Sequence, residues 1–425
     1  MLRTMRGASV AVIAGAMVAS AAMSAAAAPP KGDTGRVSVS ASGAQASAES
    51  RGGSVSGDGR FVVFESDADN LVPGDTNGRV DVFLRDLRRD TIERVSVRDD
   101  GSEYTFLAFA PHISADGRYV TFKANTGAYE DHTYYSGVFL WDRVKDRTEV
   151  VSLSDDDKPI TDAYGDPLVS RDGRYVAFVA SLADNGDTGN GMWAGIYLRD
   201  RKQGTTRLVS VTEPSSDDGI SWIIGGYTMS ADGSRIGYHL SQVKPGLKSA
   251  VFIHDNRSGR TERFDQSNQG AGLPTFSGNG RYAAFTSAAS DLVPGDTNDK
   301  ADIFVKDLWK GAVKRVSLDA RGGQTDTDSG YPVISEDGRH VVFHSQATDL
   351  VKGDTARGPL FVRDLRTGVN QRVSVAKDGG ESDYRGFSTT AVNRDGRVVA
   401  FESWATNLVP DDTNDTRDIF VRHLR

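Results

Sequence analysis

The chain has 425 residues, with 50 Lys and Arg against 58 Asp and Glu, a formal net charge of −8 and no cysteine. That charge excludes a protein that grips nucleic acid through clustered cations. Without thiols there are no disulfides, no lipid-modified N-terminal cysteine and no thiol nucleophile, so the fold rests on its core alone.

Residues 1–28 carry Arg3 and Arg6, an uncharged alanine-rich segment, and small residues from Ser24 to Ala28 before Pro29-Pro30. This is the pattern of a secretory signal peptide, which makes the remainder a secreted, extracytoplasmic protein. The uncharged run from Gly7 to Pro30, 24 residues long, also matches an uncleaved anchor, although its alanine richness weakens that alternative. After signal cleavage no membrane span is expected. Residues 29–35 read as a flexible lead-in and residues 36–425 as one domain.

From Arg36 onward the sequence consists of seven imperfect copies of one unit, clearest from Leu273 to Leu318. Within it Leu273–Ser277, Arg281–Thr286, Asp302–Lys306 and Lys314–Leu318 read as strands bounded by turn residues. Second strands such as Tyr282-Ala283-Ala284-Phe285 and third strands such as Ile303-Phe304-Val305 are continuous apolar runs, as in a sheet covered on both faces. One four-stranded meander cannot bury two faces; copies stacked side by side can, which is the signature of a β-propeller. The turn between first and second strands recurs at Asp58, Asp116, Asp172, Asp232, Asn279, Asp337 and Asp395, so seven blades are expected. The last copy stops after its third strand, Asp418–Arg422, while Arg36–Ser40 matches the fourth strands Arg94–Val97, Arg315–Leu318 and Arg372–Val375. The expected fold is therefore all-β: a seven-bladed β-propeller of four-stranded antiparallel blades, its ring closed by an N-terminal strand that completes the last blade and removes a sheet edge.

In a meander the connections alternate ends. Tight turns such as Asp337-Gly338 lie on one face, and loops of about a dozen residues lie on the other, where scaffolds carry function. Three of the long loops are nearly identical and place Asp, Asn and Asp at equal spacing: Asp75, Asn77, Asp81; Asp296, Asn298, Asp302; and Asp412, Asn414, Asp418. Such oxygen ligands suit calcium. The alternative is that they cap turns by accepting backbone N–H groups. Asp86 and Asp307, at the place of a helix-loop-helix site's last ligand, lie five residues down a strand, roughly 16 Å away, and do not complete the set.

The repeated Ser-x-Asp-Gly-Arg and Arg-Asp-Leu segments recur from blade to blade and are assigned to structure, so function is expected where the copies differ. They differ most in blades 2 to 4. Tyr104 and Phe106 enter blade 2, Tyr129, Asp131, His132, Tyr134 and Tyr135 fill its long loop, and Trp193 and Trp222 follow in blades 3 and 4. Aromatic rings beside carboxylates form binding patches, since they give large contact area at small entropic cost; equally, they cover sheet ends. No nucleophile elbow, His-Glu-x-x-His or phosphate loop is present. His340 and His344 lie roughly 13 Å apart on one strand, too far to share a metal.

The runs SADGRYVTF, SRDGRYVAF and SEDGRHVVF resemble the Asp-Gly-Arg turn of WD-repeat-like propeller repeats of the TolB type, a family of exported bacterial proteins. The resemblance implies a β-propeller that binds partners, and it carries no catalytic residue over. The functional expectation is a monomeric binding or scaffold module that engages an unknown protein or a cell-envelope polysaccharide through its long-loop face. The alternative is a carbohydrate-active hydrolase or lyase using acidic residues near the central opening.

Overall fold

The computed structural model describes residues 32–104, 106–125, 136–160, 163–181, 194–210, 222–242, 249–264, 271–351, 360–383 and 387–424. They form seven four-stranded antiparallel sheets, with no helix among the described residues. Blade 1, for example, comprises Ser50–Val55, Phe61–Ser66, Asp81–Asp86 and Thr91–Arg94, from the axis outward. The fold is a seven-bladed propeller, as the repeats require.

Second and third strands are buried along nearly their whole length because each blade packs both faces against its neighbours. A ring from each strand meets within the blade: Phe64 on Phe83 and Phe401 on Phe420 at 5.8 Å, Tyr238 on Phe252 at 5.5 Å. Each fully buried ring contributes about 1.5–3 kcal/mol. Blades 7 and 1 share one core, in which Ile419 and Val421 join Val55, Val62 and Phe64, so the ring is packed shut as well as hydrogen-bonded shut.

The closing strand differs from the sequence expectation. It is Thr34–Arg36, not Arg36–Ser40, and pairs with Asp418–His423 so that Arg36 lies opposite Phe420. The fourth strands of blades 1, 5 and 6 likewise end at the arginine: Thr91–Arg94, Val313–Arg315, Asn370–Arg372. The reason is the serine two residues on. Ser96 Oγ accepts the Val82 N–H at 2.9 Å and donates to Asp81 at 2.5 Å, so a side chain replaces the next rung of the ladder and the backbone turns away. Ser38, Ser317 and Ser374 repeat the bond to the N–H of Ile419, Ile303 and Leu360.

The Ser-x-Asp-Gly-Arg turn is likewise a structural device. Ser56 Oγ accepts the Phe61 N–H at 3.0 Å, Asp58 accepts the Arg60 N–H at 3.0 Å, and Gly59 sits at φ 71°, where a Cβ would lie 2.7 Å from Val398. Arg60 then reaches Asp86 at the end of the third strand with two bonds of 2.9 and 2.5 Å. The same pair forms in four more blades, among them Arg118–Asp142, Arg281–Asp307 and Arg339–Asp364, and in blade 4 Arg235, one residue further on, meets Asp255. Asp86 and Asp307 are thus held in turns and are not ligands of a distant loop.

Between blades, the residue after each turn serine joins its neighbour through the backbone. Gly57 N–H donates to Ala115, Asp116 to Arg171, Arg171 to Ala231, Asp232 to Gly278, Gly278 to Glu336, Asp337 to Arg394 and Arg394 back to Gly57, at 2.5 to 3.3 Å. This cyclic chain of bonds encircles the axis at the tight-turn face.

Candidate functional site

The innermost strands enclose a central cavity of about 360 Å³ that draws lining residues from all seven blades, among them Ile113, Leu168, Tyr227, Phe276, Ile334 and Val392. At the tight-turn end it is crossed by Glu336 of blade 6. The carboxylate takes two bonds from Arg171 of blade 3, at 3.2 and 2.5 Å, and lies 3.4 Å from Arg394 of blade 7. Gly57 and Gly278 make room for this crossing. A Cβ on Gly57 would lie 2.9 Å from the Glu336 carboxylate, and one on Gly278 would lie 2.7 Å from the Arg171 guanidinium.

Polar residues on the inner wall mostly stitch blades together. Ser54 accepts the Ile113 N–H at 3.4 Å, His112 Nδ1 the Val169 N–H at 3.4 Å, and Thr275 the Ile334 N–H at 3.2 Å. Burial pushes the His112 pKa down to about 4, so it serves as a neutral acceptor.

Toward the long-loop end the inner strands bulge. The pairing of Ser50–Val55 with its neighbour slips at Gly52, that of Ala108–Ile113 at Ala110, and that of Ser329–Ile334 at Tyr331. Ala110 and Tyr331 both sit at φ 53°, a strained value for residues with a Cβ. Beside these bulges stands the residue that follows the aromatic of each second strand, a position that takes five residue types over the seven blades: Glu65, Lys123, Val179, His239, Thr286, His344, Glu402. Together they form a collar on the second strands, one strand out from the cavity lining. Glu65 accepts the Ala110 N–H of blade 2 at 2.6 Å and Glu402 the Gly52 N–H of blade 1 at 2.9 Å, so each carboxylate secures the next blade's bulge. Lys123 replaces the carboxylate in blade 2. It is 7% exposed, its ammonium lies 4.4 Å from the centre of the Phe109 ring, and burial lowers its pKa against the opposing charges of Asp166 and Glu65. Asp166 is exposed and lines the cavity. His344 is held near pKa 4 by burial and supports Tyr331, which is 79% exposed, edge to face at 5.7 Å. Trp404 stacks on Arg417 at 3.9 Å, and Arg417 pairs with Glu402. Sequence reading missed this collar. Its signal was a second-strand position that varies among charged, polar and apolar residues while the residue before it stays aromatic.

In the three acidic loops an arginine of the fourth strand occupies the centre of the oxygen set. Arg94 lies 3.1 Å from Asp75, 3.7 Å from Asp81 and 2.5 Å from Glu103. Arg315 meets Asp296 and Asp302 at 3.1 and 3.2 Å, and Arg36 meets Asp412 and Asp418 at 3.1 and 3.7 Å. Asn77, Asn298 and Asn414 donate to the last aspartate of their own loop and to the carbonyls of Tyr104, Thr325 and Ala46. Burial, reinforced by the Asp81 charge, raises the Asp75 pKa to about 6. Glu103 is brought down to about 2 by the hydroxyl and N–H of Thr76 and by Arg94. Among the described residues no three His, Asp or Glu side chains converge as a metal site.

Of the aromatic candidates, Tyr104 is buried between Phe122 and Phe139, and burial raises its pKa to about 12; it covers the sheet. Phe106 is half-buried. Trp222 begins the first strand of blade 4, opposite Gln242. Tyr129, Asp131, His132, Tyr134, Tyr135 and Trp193 lie outside the described residues. His340 and His344 share a strand and remain apart, His340 facing Asp364 at 4.0 Å and His344 meeting Tyr331.

No protein-family model matches the chain, and no curated protein matches it by sequence. Among solved structures it is similar to an oligogalacturonate lyase in complex with manganese, at 12% identity and TM-score 0.54 over 88% of each chain. It is also similar to the β-propeller domain of the trilobed protease from Pyrococcus furiosus, at 13% identity and TM-score 0.53 over 88% of this chain and 92% of that one. That domain has an open velcro topology, whereas here the Thr34–Arg36 strand closes the ring. TolB from Acinetobacter baumannii is similar at 14% identity and TM-score 0.40, over 86% of this chain and 82% of that one, a likeness too slight to argue from. These similarities concern the fold alone.

Proposed function

We propose that the chain is a binding module whose ligand, a protein or an envelope polysaccharide, is taken at the long-loop end of the central cavity. The observation that carries this reading is the collar. Seven equivalent positions on one repeated backbone hold five kinds of side chain, beside a cavity crossed at its far end by Glu336. Repeated residues build a ring, and copy-specific residues around one concave opening are where selectivity resides. Export through residues 1–28 and contacts from the long loops of blades 2 to 4 complete this reading.

One observation favours a second reading, a carbohydrate-active lyase. Lys123 is a buried amine with a lowered pKa beside two carboxylates, the kind of group suited to abstracting a proton. Oligogalacturonates, named in one similar structure, are therefore the first saccharides to test.

The experiment is retention of oligogalacturonates and of envelope proteins by the full chain and by a Lys123→Met, Tyr331→Gly variant. Glycine suits the positive φ at position 331, so the variant is expected to keep its fold. Retention that falls at least tenfold in the variant, without change to the ligand, supports the binding module. Release of an ultraviolet-absorbing unsaturated product, lost with Lys123→Met, moves the lyase to first place. Equal retention by both proteins removes the collar from consideration.

A further inference from the structure

Charge is divided unequally between the two faces. The chain is acidic overall at −8, and its long loops carry the acidic clusters described above, yet cations outnumber carboxylates on the tight-turn face. The turns between third and fourth strands contribute at least one exposed cation in each of blades 1 to 6: Arg88, Lys145, Lys202, Arg257, Lys310 and Arg366. Most carboxylates of this face are engaged. The strand-end aspartates bind the arginine of their own blade's first turn, and the turn aspartates give one oxygen to cap that turn.

Exposed apolar side chains fall on the same turns. Val144 of blade 2 is 68% exposed, Trp309 of blade 5 is 59% exposed and Val369 of blade 6 is 52% exposed. In the other blades the Trp309 position holds Arg88, Val144, Lys202, Arg257 and Arg366, so the tryptophan is not required by the turn. Trp309 lies over the Arg281 guanidinium at 5.0 Å, held on the surface instead of folding into the core. These turns are four or five residues long in every blade that has one, so their tips rise to a similar height.

From this placement we infer that the tight-turn face docks on an anionic lipid bilayer, with Val144, Trp309 and Val369 entering the headgroup region and the ring of cations lying over the lipid charges. Three apolar tips on separate blades meet a plane together, whereas a linear polymer crosses few of them at once. Tryptophan and cationic side chains are the residues that settle at a membrane interface. The acidic long-loop face is repelled by the same surface, which fixes orientation and directs the collar away from the lipid. The inference is independent of what the collar binds.

The test is sedimentation of the full chain with vesicles of phosphatidylcholine alone and of phosphatidylcholine mixed with phosphatidylglycerol, beside a Lys145→Glu, Trp309→Ala, Lys310→Glu variant. All three positions are exposed, so the variant should melt with the parent. Each cation near an anionic surface changes partition about fivefold, so the variant should bind the mixed vesicles more than tenfold less. Tryptophan emission should shift to the blue on mixed vesicles, and much less so in Trp309→Phe. Equal partition of parent and variant, or equal binding to both kinds of vesicle, overturns the inference. Retention on polygalacturonate without binding to vesicles overturns it in favour of a polymer.

Discussion

Asp75 and Asp81, with side chains 2% and 1% exposed, surround one guanidinium that is itself 9% exposed. Spacing alone favoured turn capping and left calcium open, because both use Asp and Asn in a turn. Arg94 escaped notice because it lies at the end of another strand and meets the loop only once the blade has folded. Tyr104 was open between binding and covering for a related reason: its packing between two phenylalanines leaves no local trace in its neighbours. The arrangement has a pH signature. Burial raises Asp75 from 3.8 to about 6, so the folded state prefers it protonated; this contribution to stability is present below about pH 4 and is lost as pH rises through 6. An Asp75→Asn variant does not titrate there. Chemical unfolding from pH 4 to 7 should therefore show the variant gaining on the parent by about 1–2 kcal/mol. A constant difference across that range would remove burial as the cause.

At the scale of strands, most of the sequence reading survives. The apolar second and third strands and the Asp-Gly turns appeared where periodicity put them, because an inward face and a positive φ leave marks in every copy. The fourth strand was legible as a motif but not in its bounds. Arg-Val-Ser-Val looks extended throughout, yet the strand ends at the arginine: the valine still donates its N–H to the third strand, and the serine hydroxyl takes the place of the valine carbonyl as acceptor. The closing strand follows the same rule and binds more than backbone. With Arg36 it supplies the cation for Asp412 and Asp418, and with Ser38 it satisfies the Ile419 N–H. Removing residues 32–40 should therefore lower the melting temperature by roughly five to ten degrees, since uncompensated buried carboxylates cost about 3–5 kcal/mol each. A melting curve matching the parent's would show that blade 7 does not need this segment.

For the whole molecule, seven copies were enough to announce a ring, and the tight-turn chemistry explains why it has a fixed bore. What sequence could not announce is contact across the axis. Arg171 and Glu336 are 165 residues apart and come from blades 3 and 6, so no spacing rule joins them. Their environment suggests a gain-of-function test. Glu336 acts as an internal carboxylate ligand for two guanidinium groups, and Glu336→Ala should leave Arg171 and Arg394 facing an empty opening. Phosphate should then raise the melting temperature of the variant by a few degrees and leave the parent unmoved, with only a small loss of stability because both arginines are partly exposed. Equal phosphate effects on both proteins would mean that the pair does not occupy an anion site.

The Gly32 N–H lies 2.6 Å from the His423 carbonyl oxygen, so the two ends of the described chain abut. In the order of contacts the ring therefore has no first blade: its linear numbering does not mark where the architecture begins. Re-joining the ends and opening any long loop would yield the same circle of neighbours. For the same reason, duplication or loss of a blade alters this molecule by one step of rotation, while each retained sheet still meets a partner on both sides.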